Sequence, residues 1–341
     1  MTGLFVLSGI IVSALLGIMA LNRFRRPDYT NIEVRPASRP LPAADHELRI
    51  GTWNIGYAAL GAGADIYMDG GTSLRALSKH RIDAAATAIA GQIARTRCDV
   101  MCLQEVAEPG FLTRQIDVRA RIDQALPDQE RFYWADFDTV ALPRMLRVRH
   151  GMATYAATLS DQCRIIDLPD ADTQMLGFIK KPYIGVLNRF PMANSDKYWV
   201  TINIHLPVFD ITPIARAAHL ARLFDVAMQE YVQGNFVVIC GDWNTRLCPT
   251  SFPHRFDENL LKDFVDFPRD SLPTGWTISV DPKTPTVRML DDKFEKGRTY
   301  TTIFDGFIVS PNVRTASVET LDLGFAHSDH QPVVARVIAQ R

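Results

Sequence analysis

The chain has no surplus of charge of either sign. Its 341 residues include 37 Lys and Arg against 38 Asp and Glu, for a formal net charge of −1. Proteins that capture nucleic acid broadly carry a clear basic excess, so that class is disfavoured, whereas an enzyme with a local basic rim is not. Cysteine is scarce: the five residues are an odd number, without disulfide-framework or zinc-site spacing. Cys98 and Cys102 flank a short apolar run and Cys240 ends another, which predicts reduced thiols acting as small core hydrophobes. There is no internal repeat. At 47% apolar and 22% charged residues, what remains is an ordinary globular composition.

One stretch lacks charge altogether. Residues 3–21 are 19 consecutive uncharged positions, close to the ~20 that cross a bilayer. Arg23, Arg25 and Arg26 follow at once, the start is not basic, and no small-residue cleavage motif is present. The run therefore reads as a retained transmembrane anchor (residues 1–21), making this a single-pass cell-membrane protein. The positive-inside rule favours the cytoplasmic side for the rest, although outward-facing enzymes with one N-terminal anchor leave the side open. Residues 22–47 hold Pro27, Pro36, Pro40 and Pro42 without sustained periodicity, which predicts an extended, exposed linker. The globular domain is placed at residues 48–341.

Within that domain short apolar runs alternate with helical patterns. Strands are predicted over residues 48–55, 100–103, 151–159, 183–187, 198–205, 236–240, 303–309, 316–320 and 332–338. Residues 79–96 carry Ile82, Ala85, Ala86, Ile89 and Ile93 at helical spacing. Residues 213–231 do the same with Leu220, Leu223, Phe224 and Ala227. Mixed elements without an internal linker point to one α/β domain.

Polar groups cluster where the apolar runs stop: Asn54 in TWN, Glu105 in LQEV, His205 in NIHL, Asp242 and Asn244 in GDWN, Asp305 in FDG, and Asp329 and His330 in SDHQPV. Rigid strands with functional groups at their ends are how scaffolds converge side chains on one pocket. Hard oxygen donors suit an ion such as Mg²⁺, which needs only one or two carboxylates beside water and phosphate. Two imidazoles can handle protons and phosphate charge. Hydrolysis of a phosphate ester demands that combination, because negative charge moves between oxygens and must be neutralised. A lone Asn or Asp here is ordinary turn chemistry; the ordered set is the signal.

As an ordered set, TWN, LQEV, NIHL, GDWN and SDHQPV resemble the endonuclease/exonuclease/phosphatase superfamily, whose fold is that of deoxyribonuclease I. The resemblance runs from Leu48 to about Ile338. It implies a four-layered α/β sandwich, with two central sheets flanked by helices and an active site at the strand ends. It implies that Glu105 binds Mg²⁺ (Mn²⁺ as the alternative) with help from Asn54, with Asp329 beside the metal. By the same resemblance Asp242 and Asn244 position water and steady the transition state. His330, paired with Asp305, contacts the scissile phosphate, and His205 is a second phosphate-facing imidazole.

Two features depart from or add to the pattern. The Gly-rich segment after TWN is either a substrate loop, bringing Tyr57, Tyr67 or Asp69 near the pocket, or a surface excursion. The basic run Arg144, Arg147, Arg149 and His150, and more weakly Lys180 and Lys181, could dock phosphate through paired donors. The expected partner is a phosphate ester, either nucleic acid or phospholipid, with the membrane contacted through the N-terminal helix. A nuclease and a phospholipid headgroup hydrolase are both compatible. A non-catalytic, membrane-tethered scaffold of the same fold would lack a ligand or a histidine, and none is missing.

Overall fold

The computed structural model describes residues 29–75, 77–140, 142–169, 174–175, 179–207, 212–257, 261 and 264–340, together with the isolated Ser13 and Gly17. In chain order the elements are β1 (Glu33–Arg35), β2 (Glu47–Asn54), α1 (Lys79–Thr96), β3 (Val100–Ala107), α2 (Val118–Ala125), β4 (Glu130–Asp138), β5 (Arg149–Ala156) and β6 (Gln162–Asp167). The short β7 (Gln174–Met175) and β8 (Ile179–Lys180) precede β9 (Ile184–Pro191), β10 (Tyr198–His205), α3 (Pro213–Val232) and β11 (Phe236–Asp242). The chain closes with β12 (Thr277–Ser279), β13 (Val287–Arg288), β14 (Thr301–Thr302), β15 (Asp305–Val309), β16 (Val313–Thr320) and β17 (Val333–Ala339).

Two mixed sheets make the centre. One has seven strands in the order β1-β4-β5-β3-β2-β17-β16, the other six in the order β12-β15-β11-β10-β9-β6. Period-2 alternation sorts their side chains into layers. On β11, Val238 and Cys240 join Leu48, Ile50, Cys102, Phe307 and Val337 between the sheets. Val237 and Ile239 point the other way, onto Leu220, Leu223, Phe224 and Ala227 of α3. Across the seven-stranded sheet, Met101 and Leu103 meet Ile82, Ala86, Ile89 and Ile93 of α1 and Ile122 of α2. The result is helix, sheet, sheet, helix: the expected four-layered sandwich.

The helices start where the sequence provides caps. Ser78, Asp117 and Thr212 each accept a hydrogen bond from a backbone N–H of the first turn, and Pro213 sits at the first helical position, where no N–H is needed. Each long helix connects two parallel strands. β2 runs parallel to β3 across α1, and β10 parallel to β11 across α3.

Two expectations change. Among the described residues no helix is long and apolar enough to cross a membrane, which corrects the expected single-pass cell-membrane localisation. The uncharged run of residues 3–21 falls outside the described residues except at Ser13 and Gly17. The Pro-rich stretch read as exposed linker also contributes to the domain. Val34 pairs with Phe132 on β4, Arg35 donates to the carbonyls of Asp123, Leu126 and Gln129, and Ala44 is buried against Met192. Prolines at an edge leave the intervening N–H groups free to pair, so a short strand survives between them.

Candidate active site

Topology explains why residues so distant in sequence meet. The C-terminal ends of the parallel pairs β2/β3 and β10/β11 carry Asn54, Glu105, His205, Asp242 and Asn244. Antiparallel β15 pairs Asp305 with Asp242, and antiparallel β17 pairs Val333 with Thr52. The start of each antiparallel strand therefore lies at the same edge as the end of its neighbour, so residues that precede β17 join residues that follow β2.

His330 is the hub. Its Nδ1 lies 2.8 Å from Asp305 Oδ2, its Nε2 faces Asp242 Oδ2 at 3.6 Å, and its carbonyl accepts from the Trp53 indole at 2.9 Å. Asn54 donates from Nδ2 to Asp242 Oδ2 at 3.0 Å, while its Oδ1 accepts from Gly56 N. Asp242 Oδ1 accepts from the backbone N–H of Asn244 at 3.0 Å, and Asn244 Nδ2 donates to Leu206 O at 2.6 Å. Ser328 donates to the Asn54 carbonyl and contacts Asp329 Oδ1 at 3.2 Å.

Glu105 corrects a sequence expectation. It does not follow a strand end; it lies inside β3, at φ +56°, where pairing with β5 slips between Leu103 and Val106. This bulge re-aims the carboxylate into the cleft, a usual service of bulges beside functional sites. Asn203, from the other sheet, ties the bulge down. Its Nδ2 donates to Leu103 O at 3.2 Å and Ala153 O at 3.1 Å, and its Oδ1 accepts from Gln104 at 2.7 Å.

The electrostatics divide the two imidazoles. Burial opposes a charge on His330, yet the Asp305 and Asp242 carboxylates overcome it and push its pKa well above the ordinary value. Burial, reinforced by the Lys181 charge, holds His205 well below it. Burial raises Glu105, Asp242 and Asp329 above the usual carboxylate range, with the Asp329 charge adding to the shift at Glu105. Burial and the charges of Asp329 and Asp291 push Asp69 up to about 7.

The donor set fits a divalent cation. These buried carboxylates outnumber their cationic neighbours, and a hard cation would relieve that excess. Asp242, Asp305 and His330 bring ligand atoms within 4.8 Å of one another. Of these, Asp305 and His330 are already hydrogen-bonded to each other at 2.8 Å.

The Gly-rich segment proves to be part of the site. Burial and the Glu105 charge raise the Tyr57 phenol well above its ordinary pKa, and its ring packs 4.9 Å from that of His150, whereas Tyr67 is 71% exposed. Arg288 holds this segment in place, donating to the carbonyls of Leu60, Gly61 and Ala64 as well as Met289 and Asp292.

The basic run expected to dock phosphate is corrected. Arg147 forms a two-bond pair with Asp138 at 2.8 and 2.7 Å. Arg149 reaches Glu33 at 2.8 Å and also Glu108, so both guanidiniums are already met by carboxylates of neighbouring segments. Strand alternation turns His150 to the opposite face from Arg149. There it is buried, with Nδ1 3.1 Å from Asp136 Oδ1 and its ring stacked on Phe137. Asp136 also pairs with Lys181 at 3.1 Å, and Lys181 Nζ lies 3.4 Å from His205 Nδ1. Sequence reasoning missed Asp136, Asn203 and Arg288 and took Lys181 for a surface donor. The aromatic run of β4 was the available signal for Asp136.

Residues 51–330 match the model of the Endonuclease/Exonuclease/phosphatase family. The chain belongs to this family. Members of the family are hydrolases acting on phosphoester bonds. Solved structures share the fold at low identity. The human nocturnin catalytic domain with bound sulfate anion is 16% identical at a TM-score of 0.53, over 92% of this chain and 100% of that one. A family protein from Bacteroides vulgatus is 16% identical at 0.52, over 86% and 99%. Truncated TDP2 from Caenorhabditis elegans is 16% identical at 0.51, over 86% and 98%. No curated protein matches the chain.

Proposed function

We propose that the cleft hydrolyses phosphate esters with an activated water and a divalent cation, Mg²⁺ or Mn²⁺. The observation that carries this reading is the convergence of Asn54, Glu105, His205, Asp242, Asn244, Asp305, Asp329 and His330 on one buried edge of the sandwich. Glu105 and Asp329, supported by Asn54, would hold the ion. When bound, it would supply positive charge against phosphoryl oxygens and make water more acidic.

The remaining steps belong to the chain's own groups. His330, kept cationic by Asp305, sets a positive charge and an N–H against a phosphoryl oxygen. Asp242, fixed by Asn54 and by the Asn244 amide, is an acceptor placed to orient the attacking water and take its proton. The second amide hydrogen of Asn244 is free to steady the developing anion.

The test is a parallel screen with Mg²⁺ against plasmid DNA, RNA, phosphoinositides, sphingomyelin and bis-p-nitrophenyl phosphate. Turnover of at least one, abolished by a chelator, is expected. No turnover of any, or turnover indifferent to the chelator, contradicts the reading.

A further inference from the structure

We propose that Lys181, anchored by Asp136, is a positioning residue that fixes the proton of His205 on Nε2, so that this imidazole turns an N–H toward a bound phosphate. The inference rests on the phosphoesterase reading above and deepens it, because it gives the two imidazoles different tasks.

The geometry constrains His205 from both sides. An ammonium offers three donors and no acceptor. Lys181 Nζ lies 3.4 Å from His205 Nδ1, so that nitrogen must accept and cannot carry the proton. The opposite nitrogen faces carboxylate oxygens: Nε2 is 3.7 Å from Asp242 Oδ2 and 3.9 Å from Glu105 Oε1. A proton on Nε2 satisfies both neighbourhoods; a proton on Nδ1 would set donor against donor in a buried place. His330 is the counter-example within the same cleft: carboxylates stand at both of its nitrogens, 2.8 Å from Nδ1 and 3.6 Å from Nε2.

Lys181 is held as firmly as its task requires. It is 9% exposed, its Nζ pairs with Asp136 Oδ2 at 3.1 Å, and the Tyr183 ring lies 5.4 Å from the ammonium. Asp136 Oδ1 also lies 3.1 Å from His150 Nδ1. The ammonium has Asp136 as its counter-charge and sets the direction of the His205 hydrogen bond.

The test uses the full chain labelled with ¹⁵N-histidine, with His205 assigned by loss of its signals in His205→Gln. Long-range ¹⁵N–¹H correlation at neutral pH should show His205 protonated on Nε2 and not on Nδ1. The double variant Lys181→Met with Asp136→Asn removes both charges together and orphans neither. In it the single-tautomer pattern of His205 should be lost. Its kcat on bis-p-nitrophenyl phosphate with Mg²⁺ should fall about 10²-fold with KM moved by no more than about 2-fold. A wild-type His205 protonated on Nδ1, or on both nitrogens, overturns the proposal, as does an unchanged tautomer in the double variant. The spectroscopic result needs no turnover, so failure of the wild type to hydrolyse any ester counts against the phosphoesterase reading alone.

Discussion

At the residue scale the site depends on how buried charges are oriented. Asp305 is fully buried, and one of its oxygens holds His330 Nδ1. Asp305→Asn keeps the shape but removes the charge that holds the imidazole cationic. We expect kcat to fall by about 10²–10⁴ with little change in melting temperature, measured by steady-state hydrolysis beside a thermal melt. Retained kcat would show that His330 does not need its partner. Gly56 is a second sensitive point. It sits at φ +50°, and an added Cβ would come within 2.7 Å of Asp329 Oδ1. Gly56→Ala should therefore lower activity by displacing Asp329, and a wild-type rate would contradict that. Asn54, His205, Asp242, Asn244, Asp329 and His330 were legible because each closes or precedes an apolar run. The pairing of Lys181 with Asp136 was not, because no local pattern links a β4 residue to one 45 positions later.

At the element scale the sequence foretold what periodicity controls. Helix α1 spans the predicted residues, and α3 exceeds its prediction by one. Strands β2, β10 and β17 fall within a residue or two of expectation. What stayed hidden depends on tertiary partners. The bulge at Glu105 exists because Asn203 on the opposite sheet satisfies Leu103 O. β1 exists because β4 offers it an edge. Burial opposes ionisation of Glu33 on β1, but the Arg149 hydrogen bond and the Arg119 and Arg149 charges outweigh it and hold its pKa below the ordinary value. A depressed carboxylate stabilises above its unfolded pKa, about 4.3, and loses that contribution as pH falls through the folded value. Amides of the β1–β4 pair should thus lose hydrogen-exchange protection on acidification below that point, and Glu33→Gln should flatten the dependence. Protection equally pH-sensitive in the variant would refute the assignment. Arg288→Met, which strips five carbonyls of a buried donor, should cost about 2–4 kcal/mol in denaturant unfolding.

At the scale of the whole molecule, two strand–helix–strand units face each other across one core, and their like ends form the cleft. The price of this convergence is a concentration of buried carboxylates with too little positive charge nearby, visible in the raised pKa values of Glu105, Asp242 and Asp329. Function and stability should accordingly pull apart here. Glu105→Gln should melt higher than the metal-free wild type, and Mg²⁺ should raise the melting temperature of the wild type more than that of the variant. The most direct measurement compares Mg²⁺-dependent kcat of the wild type, Glu105→Gln and His330→Ala on whichever ester the screen identifies. The expected result is a loss of about 10³-fold or more in each variant with the fold retained; near-wild-type turnover in either one would mean that this cleft is not where the ester is cleaved.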